Sequence, residues 1–295
     1  MLRNYAHWGR DSPATNVLSS TELRNLRPQD LIARVRDLYN YERRIFYFGP
    51  LEKNELLSIL ERHHRVPETL RPVIPARQFE EYITSENRVL FVPFDNNQIN
   101  FAMISKCGRT FDPNLAPYIR LYNSYFGRGV SSIVFQEMRE TRGLAYSARV
   151  SFDAPTRLGR SYTLESFIAT QNDKMDDAVQ AFLDIINNMP ESEIGFEVAR
   201  YSILTNLRTQ RTNRAAVLWR YIEARDLGLD YDLNKFVFER IQNMTLDDVV
   251  RFQREHVKNR KYTFCILGRE RDLDFRAMAS YGRIVRPSLR DIFGY

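Results

Sequence analysis

Four histidines, two cysteines, one glycine-rich turn and one arginine- and tyrosine-bearing stretch are the places where this 295-residue sequence could carry chemistry. His7, His63, His64 and His256 belong to neither HxxEH nor HExxH, the spacings that set two imidazoles and a carboxylate around one zinc ion. His63 and His64 are adjacent, so on a helix they point about 100° apart and cannot easily share an ion. Cys107 and Cys265 lie far apart in predicted strands and make no metal-type pair; buried reduced thiols are the expectation. FGRGVSS, residues 126–132, has the glycines of an anion-binding turn. It lacks the lysine and Ser/Thr ending of a nucleotide loop and joins helix to helix, so Gly127 and Gly129 read as a packing turn, with Gly127 ending its helix where a left-handed residue costs little. RETRGLAYS, residues 139–147, sets Arg139 and Arg142 near a helix end and Tyr146 near a strand start, with Gly143 permitting a tight reversal between them. Such a reversal can bring a permanently charged donor and a directional phenol near one spot. On spacing alone either arginine serves, and Tyr146, alternating with Ala148, Val150 and Phe152, reads equally as a core aromatic.

The elements that must position these residues follow from hydrophobic period. Leu56, Leu57, Ile59 and Leu60 predict a helix over 51–60, and HHRVPETLRPVIPAR after it breaks regular structure with three prolines, which predicts a linker. RVLFVPF and QINFAMISKC predict an antiparallel strand pair joined through Asp95, Asn96 and Asn97. Leu115, Ile119, Tyr122 and Phe126 mark one helix, and a second runs from a Ser131/Ser132 cap to Gly143. LAYSARVSF and YTLESFIAT are the next strands, then come helices opened at Asp173, continuing to about Gln210, over Arg214 to Leu227 and over Thr245 to Val257, and a last strand, KYTFCIL. This order predicts an α+β sandwich in which helices cover one face of a mostly antiparallel sheet.

One internal repeat organises the chain. LRNLRPQDLIARVRDLYNYERRIFYFG matches IQNMTLDDVVRFQREHVKNRKYTFCILG at an offset of 218, pairing Leu26 with Met244, Asp30 with Asp248, Leu31 with Val249, Arg36 with Arg254 and Phe46 with Phe264. Each copy reads as a helix leading into a strand. The second copy has about 165 residues of its own domain before it and the first only about 25, so the first copy's domain is expected to begin roughly 140 residues before Met1. The expected division is 1–72, the end of a preceding domain plus linker, and 73–295, a complete second domain.

Composition narrows the partners. Hydrophobic residues make up 43% and charged residues 27%, the ordinary globular range, and the formal charge is +6. The arginines are scattered among acids with no basic run, which argues against nucleic acid. No apolar run approaches the roughly 18 residues of a membrane span, and MLRNYAHWGRDSP lacks the apolar core of a secretory signal, so a soluble chain without an address is expected, its compartment open.

LYNSYFGRGVSSIVFQEMRETRGLAYS closely resembles the signature region of the insulinase, pitrilysin and mitochondrial processing peptidase family, and the element order from about residue 78 to 270 is similar to that family's repeating α/β domain. The resemblance implies tandem copies of one fold, insulinase-type, and a division of labour. One domain holds zinc through HxxEH and a distal glutamate, and an opposing half contributes an arginine and a tyrosine seven residues apart, which here fall on Arg139 and Tyr146. Those two would bind substrate backbone and support the oxyanion while both halves close on an extended peptide. Because this sequence departs from the family at the zinc motif, no metal is expected in this chain, and zinc is expected in an HxxEH-bearing N-terminal half or partner subunit. The same resemblance admits a catalytically silent scaffold or assembly subunit, and a module that binds peptides along an exposed strand edge is the third reading.

Overall fold

In the computed structural model, which describes residues 1–210 and 213–294, the five strands expected between residues 88 and 268 form, but their order differs from the simplest reading. Strand β1 is Arg88–Pro93, β2 Gln98–Lys106, β3 Ser147–Asp153, β4 Thr163–Gln171, β5 Thr263–Gly268 and β6 Arg283–Val285. They make one sheet in the order β3-β4-β2-β5-β1-β6. The expected β1–β2 hairpin does not exist: β5 lies between, parallel to β1 and antiparallel to β2. The connection of residues 94–97 is long enough to step over one strand, a distance of about 10 Å, where a two-residue turn would have forced direct pairing. Thr263, Phe264, Cys265 and Ile266 are all buried, as a central strand with both faces covered requires. Three of the five pairings are antiparallel, and β6 extends the parallel part.

The main core lies on one face of this sheet. Phe101 and Phe264 from the strands meet Tyr122, Phe126, Phe182, Phe196, Val249 and Phe252 from the helices Ala116–Tyr122, Met175–Asn187, Glu193–Thr209 and Leu246–His256 and from the turn after the first of these. The opposite face is also partly covered, which the sequence pattern did not indicate: Leu2 and Ala6 of the helix Leu2–Trp8 and Ile292 of Leu289–Phe293 pack on Leu90, Val92, Ala102, Ile104 and Cys265. Polar groups fasten the first helix there. Glu165 on β4 accepts from His7 Nε2 at 2.6 Å and also from Arg3, Trp8 lies between the Lys106 ammonium and the Arg160 guanidinium at 4.6 and 4.7 Å, and Lys106 pairs with Glu81 at 2.7 Å. Burial pushes the Glu165 carboxyl up, but His7 and Arg3 outweigh it and hold the group below the usual carboxylate range.

The two repeat copies part company. The helix Pro28–Asp37 forms as expected, but its continuation does not form a strand; among the described residues Tyr41–Phe48 has only an isolated bridge from Tyr41 to Arg71. A strand is made by hydrogen bonds to a neighbour, and no described strand runs beside Ile45–Phe48, whereas the helix closes its bonds internally. Residues 64–87 hold no helix or strand.

Candidate functional site

The signature stretch folds as two helical segments, a turn and the start of β3. Ala116–Tyr122 passes into a π-turn, Asn123–Gly127, closed by the Arg128 N–H on the Asn123 carbonyl at 2.8 Å. Ser132 caps the next segment, accepting from the Phe135 N–H, and Ile133–Phe135 passes into a second π-turn, Gln136–Thr141, closed by Arg142 N–H on Glu137 O. Single π-turns insert a residue into a helix and are frequent at functional sites. Gly143, at φ +57°, then reverses the chain, and the N–H groups of Leu144 and Ala145 both donate to Met138 O. The chain joins the sheet at Tyr146, whose N–H donates to Ala169 O.

Gly127 is needed for a different reason than a left-handed helix end. Its φ is not positive; instead a Cβ there would stand 2.0 Å from the Val150 carbonyl oxygen on β3, so only glycine lets the π-turn lie against the strand. Beside it the Asn123 side chain occupies the outer edge of β3, donating Nδ2–H to Phe152 O at 2.9 Å and accepting from Phe152 N–H at 2.8 Å. The edge strand is therefore occupied over Val150 and Phe152, and this argues against a peptide running the length of β3.

At the other end of β3 the structure brings Arg139 and Tyr146 together. The guanidinium carbon of Arg139 lies over the Tyr146 ring, 5.4 Å from its centroid, and over the Phe135 ring at 5.1 Å. Tyr146 is 70% exposed, so it is no core aromatic, although Ala148, Val150 and Phe152 of the same phase are buried. Arg142 stands apart, facing Glu137 at 3.4 Å. Arg139 has Glu140 at 3.6 Å, beyond a good hydrogen bond, so among the described residues its N–H donors remain available for a bound group. A cation resting over two aromatic rings and a phenol beside it can hold a carbonyl or carboxylate oxygen.

Among the described residues no group of three or more His, Cys, Asp or Glu side chains could hold a metal. His64 packs against Tyr39, and His256 packs against Phe252 and Phe152 and takes a donor from Arg109 at 3.1 Å on Nδ1. Burial, followed by the Arg109 charge, lowers the His256 pKa. The residues present do not fit zinc. Nor is any described helix long and apolar enough to cross a membrane. Two residues were missed from the sequence. Asn123 could have been noticed as a polar residue in an apolar helical row, and Phe135 as an aromatic one helical turn, i to i+4, before Arg139.

Uncharacterised zinc proteases of Mycobacterium tuberculosis and Mycobacterium bovis are 25% identical over 231 residues, covering 75% of this chain and 50% of theirs, so the chain spans about half the length of these curated relatives. In fold it resembles a peptidase M16 inactive domain from Pseudomonas fluorescens, with TM-score 0.58 and 15% identity over 74% of this chain and 51% of that one. It also resembles a ferredoxin protease solved in complex with Arabidopsis ferredoxin, with TM-score 0.62 and 12% identity over 88% of this chain and 28% of that one. The family model described as the peptidase M16 inactive domain matches residues 25–195, more than half of the sequence, and the chain belongs to that family.

Proposed function

We propose that this chain is the non-zinc, substrate-binding part of a zinc-dependent endopeptidase, in which Arg139 and Tyr146 hold the backbone of an extended peptide and support the oxyanion. The observation that carries this reading is the Arg139 guanidinium over the exposed Tyr146 ring at the unblocked end of β3, with its N–H groups unspent. Fixed donors aimed at a developing negative charge are worth several kcal/mol when water is excluded, and closure against a second half would exclude it. Zinc, held by an HxxEH-bearing half in the same polypeptide or a partner subunit, would supply the activated water. The zinc protease relatives and the ferredoxin-bound neighbour support peptide as the ligand class.

Residues 1–72 are, on the same proposal, the end of a preceding copy of the domain and its linker. Leu31, Ile32 and Val35 on Pro28–Asp37 and Leu38 just after it are exposed, while Val249, the repeat counterpart of Leu31, is buried in the sheet's main core. The test of the functional reading is kinetic. In the enzyme assembled with its zinc-bearing half, Arg139→Ala should lower kcat/KM on the order of 100-fold. Tyr146→Phe keeps the ring and removes only the hydroxyl, so its loss isolates that donor. Unchanged turnover of a folded Arg139→Ala enzyme would instead assign the chain to the silent scaffold role.

A further inference from the structure

We propose that Phe135 is a positioning residue for Arg139, its ring holding the guanidinium in place of a carboxylate so that N–H donors stay free for substrate; this rests on the site reading above. Arginine is a long side chain with costly rotamer freedom, and an exposed one is ordinarily fixed by carboxylates that use up its N–H donors. Arg139 is held differently. Among the described residues its one ion-pair neighbour, Glu140, is 3.6 Å away, while Phe135 and Tyr146 lie 5.1 and 5.4 Å from its guanidinium carbon.

An aromatic ring attracts the cation without the paired oxygens by which a carboxylate takes up two N–H groups at once, so most of the five donors stay free. The ring that does this work is itself fixed. Phe135 ends the short helical segment capped by Ser132, its own N–H donates to the Ser132 hydroxyl, and the π-turn Gln136–Thr141 follows directly. Tyr146 arrives from β3, so Arg139 spans the junction of a helical segment and a strand. With Phe135 alone on its own segment, the arginine is held before substrate arrives, and Tyr146 keeps its hydroxyl for the peptide.

The experiment has two readouts on the same variants. In the 295-residue chain labelled at arginine, the Arg139 Nε–H proton should resonate upfield through ring currents. Phe135→Leu should return it toward the ordinary arginine position, and Phe135→Tyr should leave it near the original value. In the enzyme assembled with its zinc-bearing half, with an unfolded protein such as casein as substrate, Phe135→Leu should lower kcat/KM about three- to fivefold. Phe135→Tyr should restore activity, and Phe135→Leu combined with Arg139→Ala should lose no more than Arg139→Ala alone. If Phe135→Leu leaves the resonance or kcat/KM unchanged while Arg139→Ala lowers kcat/KM, the positioning role is overturned and the site reading stands. If Arg139→Ala has no effect on turnover, both fall together.

Discussion

Two segments 218 residues apart carry the same pattern and meet opposite fates. In Leu246–His256 and β5, Val249 and Phe264 are 0% and 1% exposed, whereas in Pro28–Asp37 and the residues after it Leu31 is 50% exposed and Val35 62%. Both helices form, because a helix satisfies its own backbone. Only the second copy has a strand, because β5 is flanked by β1 and β2 and Ile45–Phe48 has no described strand beside it. The difference separates what a local pattern determines, an amphipathic helix, from what only neighbours confer, burial and a ladder.

Core truncation should break or sharpen that comparison most strongly. Phe264→Ala removes a buried ring packed on Phe101 and should cost about 3–5 kcal/mol, measured by denaturant unfolding, while Phe46→Ala should cost less than about 1 kcal/mol. Equal losses at the two positions would refute the contrast; a large Phe46→Ala loss appearing only in a longer chain with an upstream copy would support the tandem-domain proposal. Next, Asn123→Ala leaves the N–H and C=O of Phe152 unpaired on β3 and should cost about 1–3 kcal/mol. Asn40→Ala in the first copy loses a part-buried 3.0 Å hydrogen bond to Asp37 and leaves no strand backbone group unpaired, so it should cost less, about 0.5–1 kcal/mol.

Thiol labelling probes the paired positions Tyr47 and Cys265. Burial pushes the Cys265 thiol up to about 12, so it should react only on unfolding, whereas Cys107 and a thiol introduced by Tyr47→Cys should both react in the native chain. Native-state labelling of Cys265 at the Cys107 rate would contradict the enclosed central strand. The smallest effect is expected in acid. Glu165 is held below its ordinary value in the folded chain, so its contribution is present above that value and is lost as pH falls through the folded one. Glu165→Gln should therefore flatten the acid limb of stability. Asp37, also lowered, by Asn40 and Arg71, lies in open solvent, and Asp37→Asn should flatten that limb less.

Much of the fold could be read before any coordinates. Strand and helix positions from residue 88 to 268 follow from period-2 and 3.6-residue spacing, and the signature stretch named Arg139 and Tyr146 through family resemblance. Three things could not be read. That β5 separates β1 from β2 is a fact about partners 175 residues apart, and the run Arg88–Pro93 looks the same with either neighbour. Tyr146 shares the alternation of β3 but sits where the sheet ends, so phase predicted burial and position denied it. The π-turns depend on hydrogen bonds shifted by one residue, which no side-chain pattern announces.

The place of β5 also dictates an order of events in time. Because it is the bridge between β2 and β1, the sheet stays in two pieces, β3-β4-β2 on one side and β1 with its later neighbour β6 on the other, until the residues from Thr263 onward are available. A ribosome has synthesised nearly nine-tenths of the 295 residues by then. The long sequence separation makes closure slow relative to the local helices, and β2 waits with one edge unpaired and apolar, the condition in which chains associate wrongly. Folding of this domain is thus a late, single closing step, and a chain ending before Thr263 should collect in aggregates rather than as a smaller soluble domain.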